Sequence, residues 1–362
     1  MKQVVFTVTN DLSYDQRMHR ICTTLAENNY DVFLVGRKRR SSIPLTPKKF
    51  KQKRIRCIFN KGALFYAEYN LRLFIYLMTI KTDAICAIDL DTILPVLFVS
   101  KIRNKKRLYD AHELFCEMKE VISRPFIQTI WKGIEKYSVP QFTKGYTVGI
   151  SIANELYKLY GVQYQVVRNM PLLQDLHKEK KEKTILYQGA VNEGRALEQL
   201  SDALKLIDAT LVVCGDGNYM RQFKKGIKFR NLENKVLLKG MLPPGELPVY
   251  AAKAMVGVNL VEAKGLNQYY SLANKFFDYI HAGLPQVCMN YPEYKSINDK
   301  YQVALLINDL NPETIARSIN NLLTNDVLYK HLQENCLKAR AFLNWQQEEK
   351  KLLDIYASTF EK

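Results

Sequence analysis

Apolar residues along this chain fall alternately into short runs and helical stripes, a pattern that predicts an α/β protein. Lys2 to Thr9 (KQVVFTVT) is a β-rich run closed by the turn-forming Asn10-Asp11. From about Tyr14 to Asn28, Met18, Ile21, Cys22 and Leu25 return at helical spacing, and Asp31 to Gly36 is a second strand. Strand, loop, helix, strand is the start of a doubly wound domain. Residues 62–81 are aromatic or aliphatic almost throughout, with a single Arg, Arg72. A helix apolar on nearly every side either packs internally on the sheet or dips into a membrane interface, and both readings fit. Residues 83–102 read as strand, acidic loop (DLDT) and helix, and 106–117 as a strand ending in Asp110-Ala-His112-Glu113. Residues 145–161 supply a strand and a helix capped by Ser151.

The pattern then lapses. LLQDLHKEKKEK (172–183) is polar and aperiodic, as expected of a linker. Strand, Gly turn and helix resume over 184–200; 209–223 and 302–309 each contribute another strand, and 235–261 reads as strand, loop, helix, strand. Between them, GLNQYYS (265–271) reads as loop, Leu272 to Ile280 as helix, Ala282 to Pro285 as its stop and Gln286 to Met289 as a strand. Asn274 and Asp278 share one helix face, with Lys275 beside them. The expected organisation is a first domain over 1–170 and a second over 171–344.

Composition supports two domains, since 362 residues exceed one ordinary core. No apolar run reaches the roughly 20 residues of a membrane span. The strand-like start does not resemble a signal peptide, so the expected place is the cytoplasm or a cytoplasmic surface. Seven scattered cysteines without a CxxC pair read as buried free thiols, and no zinc pattern is visible. The net charge of +17 is uneven: residues 1–170 hold 28 Lys/Arg against 14 Asp/Glu, and the remainder 25 against 22. The first half therefore expects an anionic partner. Aromatics interleaved with cations over 123–142 suit a headgroup interface, and no nucleic-acid-binding pattern is present. No GxGxxG occurs, which removes the classical NAD fingerprint.

The chemistry concentrates around Lys275. A helix N-terminus attracts an anion, Lys275 adds a point charge, and a carboxylate one turn later accepts both hydroxyls of a ribose. Such an arrangement suits a polyol phosphate, and an ordinary amphipathic surface helix fits the stretch as well. The stretch, with Ser271, Leu272, Lys275, Phe277, Asp278, Tyr279, Gly283 and Pro285, resembles the nucleotide-sugar signature of family 4, GT-B-fold glycosyltransferases. It departs from that signature at Ala273 (usually Pro), at Asp278 (usually Glu) and at Tyr270, where an acid is usual eight residues earlier. DLDT and YDAHE resemble the bacterial branch of the same family.

The resemblance implies two Rossmann-like, doubly wound domains facing a cleft, with residues 345–362 crossing back to pack on the first. It implies that His112 contacts the donor sugar or its phosphate, with Asp110 or Glu113 orienting it, and that Arg195 and Lys275 stabilise the departing diphosphate without a metal. Gly189, Gly217, Gly240, Met241, Leu242, Asn274 and Asp278 fall at donor-binding positions, and Asp11, Arg17 and Glu113 on the acceptor side. Asp11, Asp15 and His19 read first as capping or surface groups. The implied activity is retaining hexosyl transfer from a UDP- or GDP-sugar, with no cofactor. The acceptor would be a glycan or lipid-diphosphate-linked molecule, as in polysaccharide assembly at a cytoplasmic membrane face. A GT-B nucleotide-sugar 2-epimerase and a non-catalytic basic membrane adaptor are the alternatives.

Overall fold

The computed structural model describes residues 1–177, 179–243 and 245–361. The chain forms two compact units, Met1–Asn169 with Glu348–Lys362, and Met170–Gln347. Each is a parallel sheet with helices on both faces, so the α/β, double Rossmann-like reading of the sequence holds.

The first unit's strands are β1 (Lys2–Thr7), β2 (Tyr30–Lys38), β3 (Lys51–Arg56), β4 (Ala84–Ile88), β5 (Lys106–Ala111), β6 (Gly145–Thr147) and β7 (Gln165–Val166), in spatial order β3-β2-β1-β4-β5-β6-β7. Val4, Val5, Phe6, Ile85, Cys86 and Leu108 are fully buried, as central parallel strands covered on both faces require. The order reverses at β1, which has β2 on one side and β4 on the other. Right-handed crossovers then put the helix Gln16–Glu27 on one face and the helices Gly62–Thr79, Ile93–Ile102 and Pro125–Ser138 on the opposite one. Asp15 caps the first helix, accepting from Met18 N at 3.0 Å. The final helix, Trp345–Phe360, sets Tyr356 against Phe6, Tyr30 and Tyr146.

The second unit's strands are β8 (Glu182–Gln188), β9 (Thr210–Cys214), β10 (Val236–Gly240), β11 (Ala254–Asn259), β12 (Gln286–Met289) and β13 (Ala304–Ile307), ordered β10-β9-β8-β11-β12-β13. Its reversal lies between β8 and β11. Ligands of open parallel sheets bind at such reversals, outside the strands' carboxyl ends.

Some local expectations need correction. Leu266–Tyr269 is a single helical turn, too short to show a period, where the sequence reads as loop. The helix after β6 starts at Ile150 with Gly149 at its cap position, so Ser151 lies inside its first turn. β13 is shorter than the run 302–309, because Gln302 adopts a left-handed φ of 49° and ends the preceding helix. The helix 62–79 is neither wholly internal nor wholly exposed: Phe65, Tyr69, Leu73 and Leu77 are buried, while the opposite row faces outward. Six of the seven cysteines are buried and Cys57 is partly so; all are free thiols.

Candidate functional sites

In the second unit the loop after β8 folds against the turn after β9. Gly215, at φ 156°, brings its Cα so near Gly189 that an added Cβ would stand 1.9 Å from the Gly189 carbonyl oxygen. At Gly217 the same addition would meet Val191 O and Asn192 Oδ1 at 2.4 Å. Val191 N donates to Asp216 O at 3.0 Å and Asn218 N to Asn192 Oδ1 at 3.2 Å. Two glycines thus allow one loop to stack on the other, which fixes the segment leading to Arg195 just before the helix Leu197–Ala203.

Lys275 sits in the first turn of the helix Asn274–His281, whose cap residue Ala273 offers no side-chain hydrogen bond. Lys275 is only 7% exposed, and its Nζ has no hydrogen-bond partner among the described residues. It stands 3.7 Å from the Tyr187 ring centroid, and its Cε lies 3.7 Å from where a Gly189 Cβ would be. Burial, with Arg195 adding to it against Asp278, pushes its pKa well below the ordinary lysine value. One turn on, the Asp278 Oδ2 accepts from Gln188 Nε2 at 2.7 Å, at the end of β8. Gln188 is a residue the motif reading overlooked; its place on the strand before a Gly turn is the only local signal for it. Tyr279 anchors the helix from beneath, donating to Leu186 O at 3.0 Å.

The structure therefore brings together Gly189, Lys275 and Asp278, with Arg195 near enough to Lys275 to act on its charge. Asn274 is exposed at the helix start. Gly217 serves the loop stacking just described. Gly240 ends β10 with a left-handed φ of 69°, followed by exposed Met241 and partly buried Leu242, which packs on the cluster containing Leu186 and Tyr279.

The first unit holds a second constellation at its own strand reversal. Arg17, from the helix 16–27, is 4% exposed and paired with the fully buried Asp110 of β5, Nη2 to Oδ1 at 2.8 Å. Its Nη1 donates to Val167 O at 2.8 Å. His112 Nε2 lies 2.9 Å from Asp110 Oδ2, and its backbone N donates to Asp89 Oδ1 at 2.8 Å. The imidazole is thus held between two carboxylates, since His112 Nδ1 faces Asp89 Oδ2 at 3.6 Å. Burial disfavours its charged form, but Asp110 and Asp89 outweigh burial and Arg17, raising His112 to about 9. Arg17 Nε also stands 3.0 Å from His112 Nε2, which accepts that bond when unprotonated and donates to Asp110 when protonated. Burial raises Asp89 to about 7 and Asp91 to about 6.

Of the two neighbours expected to orient His112, Asp110 does so; Glu113 is half-buried and adds negative charge near Asp89 and Asp91. Asp89, absent from the sequence candidates, is the other orienting group. Its left-handed φ of 55°, unusual outside glycine, aims the DLDT carboxylate across to the next strand's end. Asp11 lies in the β1 loop, accepting from Ser13 N at 3.1 Å and Ser42 Oγ at 3.2 Å, so both oxygens shape that loop.

A family model described as "Glycosyl transferases group 1" matches residues 172–339, almost the whole of the second unit. Over those residues the second unit is similar to the group 1 glycosyl transferases, and the full chain has the two-domain GT-B fold. Sucrose-phosphate synthase from Thermosynechococcus elongatus superposes with a TM-score of 0.82 at 15% identity, covering 99% of each chain. HepE from Anabaena, solved in complex with UDP-glucose, gives 0.76 at 11% identity over 99% of this chain and 100% of its own. TarM from S. aureus, solved as a mutant with fondaparinux, α-GlcNAc-glycerol and UDP, gives 0.73 at 12% identity over 100% of both. No curated protein matches the sequence.

Proposed function

We propose that the protein is a retaining, metal-independent hexosyltransferase that takes its sugar from a nucleotide diphosphate donor. The carrying observation is Lys275. A buried ammonium without a hydrogen-bond partner is costly to the fold. Its retention at an uncapped helix start, beside a second cation, is what a diphosphate-binding position requires. Lys275 and Arg195 take up the charge that develops as the diphosphate leaves, and the helix amides add to it. Asp278, steadied by Gln188, accepts the ribose hydroxyls, and the backbone of Gly240 to Leu242 faces the base. His112 keeps the role implied by the resemblance, a contact to the donor sugar or its phosphate, as an imidazolium. UDP is the first nucleotide to try, since HepE and TarM were solved with UDP or UDP-glucose. The acceptor is a glycan or lipid-diphosphate-linked molecule for cell-surface polysaccharide, which suits the basic first unit.

The test is a thermal-shift panel of UDP, GDP and ADP on the parent, Asp278→Ala and Lys275→Met. Ligand binding to the native state alone raises Tm with increasing ligand concentration. Lys275→Met removes an unpaired buried charge, so the apo protein should be as stable as the parent or more so, while the nucleotide shift disappears. A destabilised Lys275→Met variant that still responds to nucleotide would refute the assignment.

A further inference from the structure

On the helix 62–79, Leu64, Ala67, Leu71 and Ile75 recur every three or four residues on the side opposite the buried row, and all are exposed. Leu71 and Ile75 are 61% and 56% exposed. A surface helix ordinarily places polar residues there. The helix 93–102 packs beside it, tied by Arg103 Nη1 donating to Leu77 O at 2.7 Å, and exposes Phe98 and Ile102 one turn apart. The helix 125–138 joins the same layer through Tyr66 against Trp131, ring centroids 5.3 Å apart, and exposes Phe126 at 77% with Ile130 and Tyr137 on the same row. All three helices cover one face of the sheet, so their outward rows form one surface.

Cations lie near that surface. Residues 32–67, which run into the first of these helices, contain eleven Lys/Arg and no Asp/Glu; Arg37 is buried and Lys49 and Lys51 pair with Glu27 and Asp31, while Lys53 stands 5.5 Å from the Tyr76 ring of the helix 62–79. Lys101, Lys132 and Lys136 are exposed on the other two helices. Scattered single apolar residues need no explanation, but rows on three adjacent helices do. A second copy of the chain meeting this face would bring like charges together. An anionic bilayer satisfies both features, taking the aliphatic and aromatic tips into the headgroup boundary and the ammonium groups onto its surface charge.

We propose that the outward face of the helices 62–79, 93–102 and 125–138 is a docking surface for an anionic lipid membrane. This deepens the reading above and rests on it only for the lipid-linked acceptor. The test is co-sedimentation of the full chain, without nucleotide, on phosphatidylcholine vesicles with and without phosphatidylglycerol, for the parent, L71S/I75S and K136Q. The parent should sediment with the phosphatidylglycerol vesicles at low salt, with binding weakened at high salt. L71S/I75S should bind about tenfold or more weakly, corresponding to about 1.4 kcal/mol, and K136Q should lose affinity to a smaller extent. Both variants should keep the parent's nucleotide thermal shift, which separates failure here from failure of the donor assignment. Absence of binding to either vesicle would overturn the proposal, as would undiminished binding of L71S/I75S. Parent dimers in sedimentation velocity that L71S/I75S dissociates would replace the bilayer with a second copy.

Discussion

His112 shows how two neighbouring carboxylates set the state of a third group. Its protons follow from contacts made by Asp110 from below and Asp89 from the side. The folded pKa of about 9 lies above the unfolded value of about 6.5. The charged imidazole therefore stabilises the fold fully below about 6.5, and that contribution disappears as pH rises through about 9. Asp89→Asn removes one of the two anions, so the His112 ring resonance in NMR should titrate closer to about 6.5 than in the parent. An unchanged midpoint would mean that Asp110 alone holds the proton. The phrase YDAHE makes His112 legible, and Lys275 and Asp278 are legible as a triad of charge, helix start and spacing. Asp89 and Gln188 are not, because their partners come from a neighbouring strand and a distant helix. Ile88 pairs in register with Asp110, which puts the DLDT loop beside His112, and no local window of sequence carries that register.

Elements are read reliably where a period runs long enough, as over 16–27, and in apolar strands such as β1, β2 and β12, whereas the polar edge strand β3 and the two-residue β7 carry no such signal. They fail at Leu266–Tyr269, a single turn, and at the helix 62–79, where two apolar rows leave no contrast to say which is buried. The stacked loops after β8 and β9 depend instead on glycine. An Ala at 215 would drive Cβ into the backbone carbonyl of Gly189, and neither loop can yield without disturbing Val191 or Asn192. Gly215→Ala should cost about 1–3 kcal/mol of stability, as a strained backbone position does, read from the denaturant midpoint. It should weaken nucleotide binding as well, because the same stacking places Arg195. Gly133→Ala is the control: beyond its own helix's backbone, no described residue lies within 4 Å of the added Cβ, and its helical setting favours Ala. Equal losses in both variants would show that the loop stacking carries no special weight.

At the scale of the whole chain, the division into units assigns the last residues to the first, though almost 180 residues of the second intervene. Physical reasons are visible in the helix 345–360. Tyr356 is fully buried, its ring 5.9 Å from Phe6 and 6.3 Å from Tyr146, with its hydroxyl 3.3 Å from that of Tyr146. Glu349 Oε2 accepts from Thr24 Oγ1 at 3.0 Å, and Glu348 Oε2 from Arg168 N at 2.8 Å. Leu352 and Ile355 are buried on the same stretch. Tyr356→Ala should cost about 3–5 kcal/mol, the usual price of emptying a large aromatic site in a core. Local and sub-global opening report where such a loss falls. Hydrogen exchange should therefore accelerate in β1, β2 and β6, whose residues touch Tyr356, and stay near the parent's rate in β8 to β13. Nucleotide thermal shifts measured on the same variant supply a second reading, since Lys275, Asp278 and Gln188 all lie outside the unit that Tyr356 supports. Uniform acceleration across both sheets would mean that the units open together, and the assignment of residues 348–361 to one of them would lose its energetic meaning.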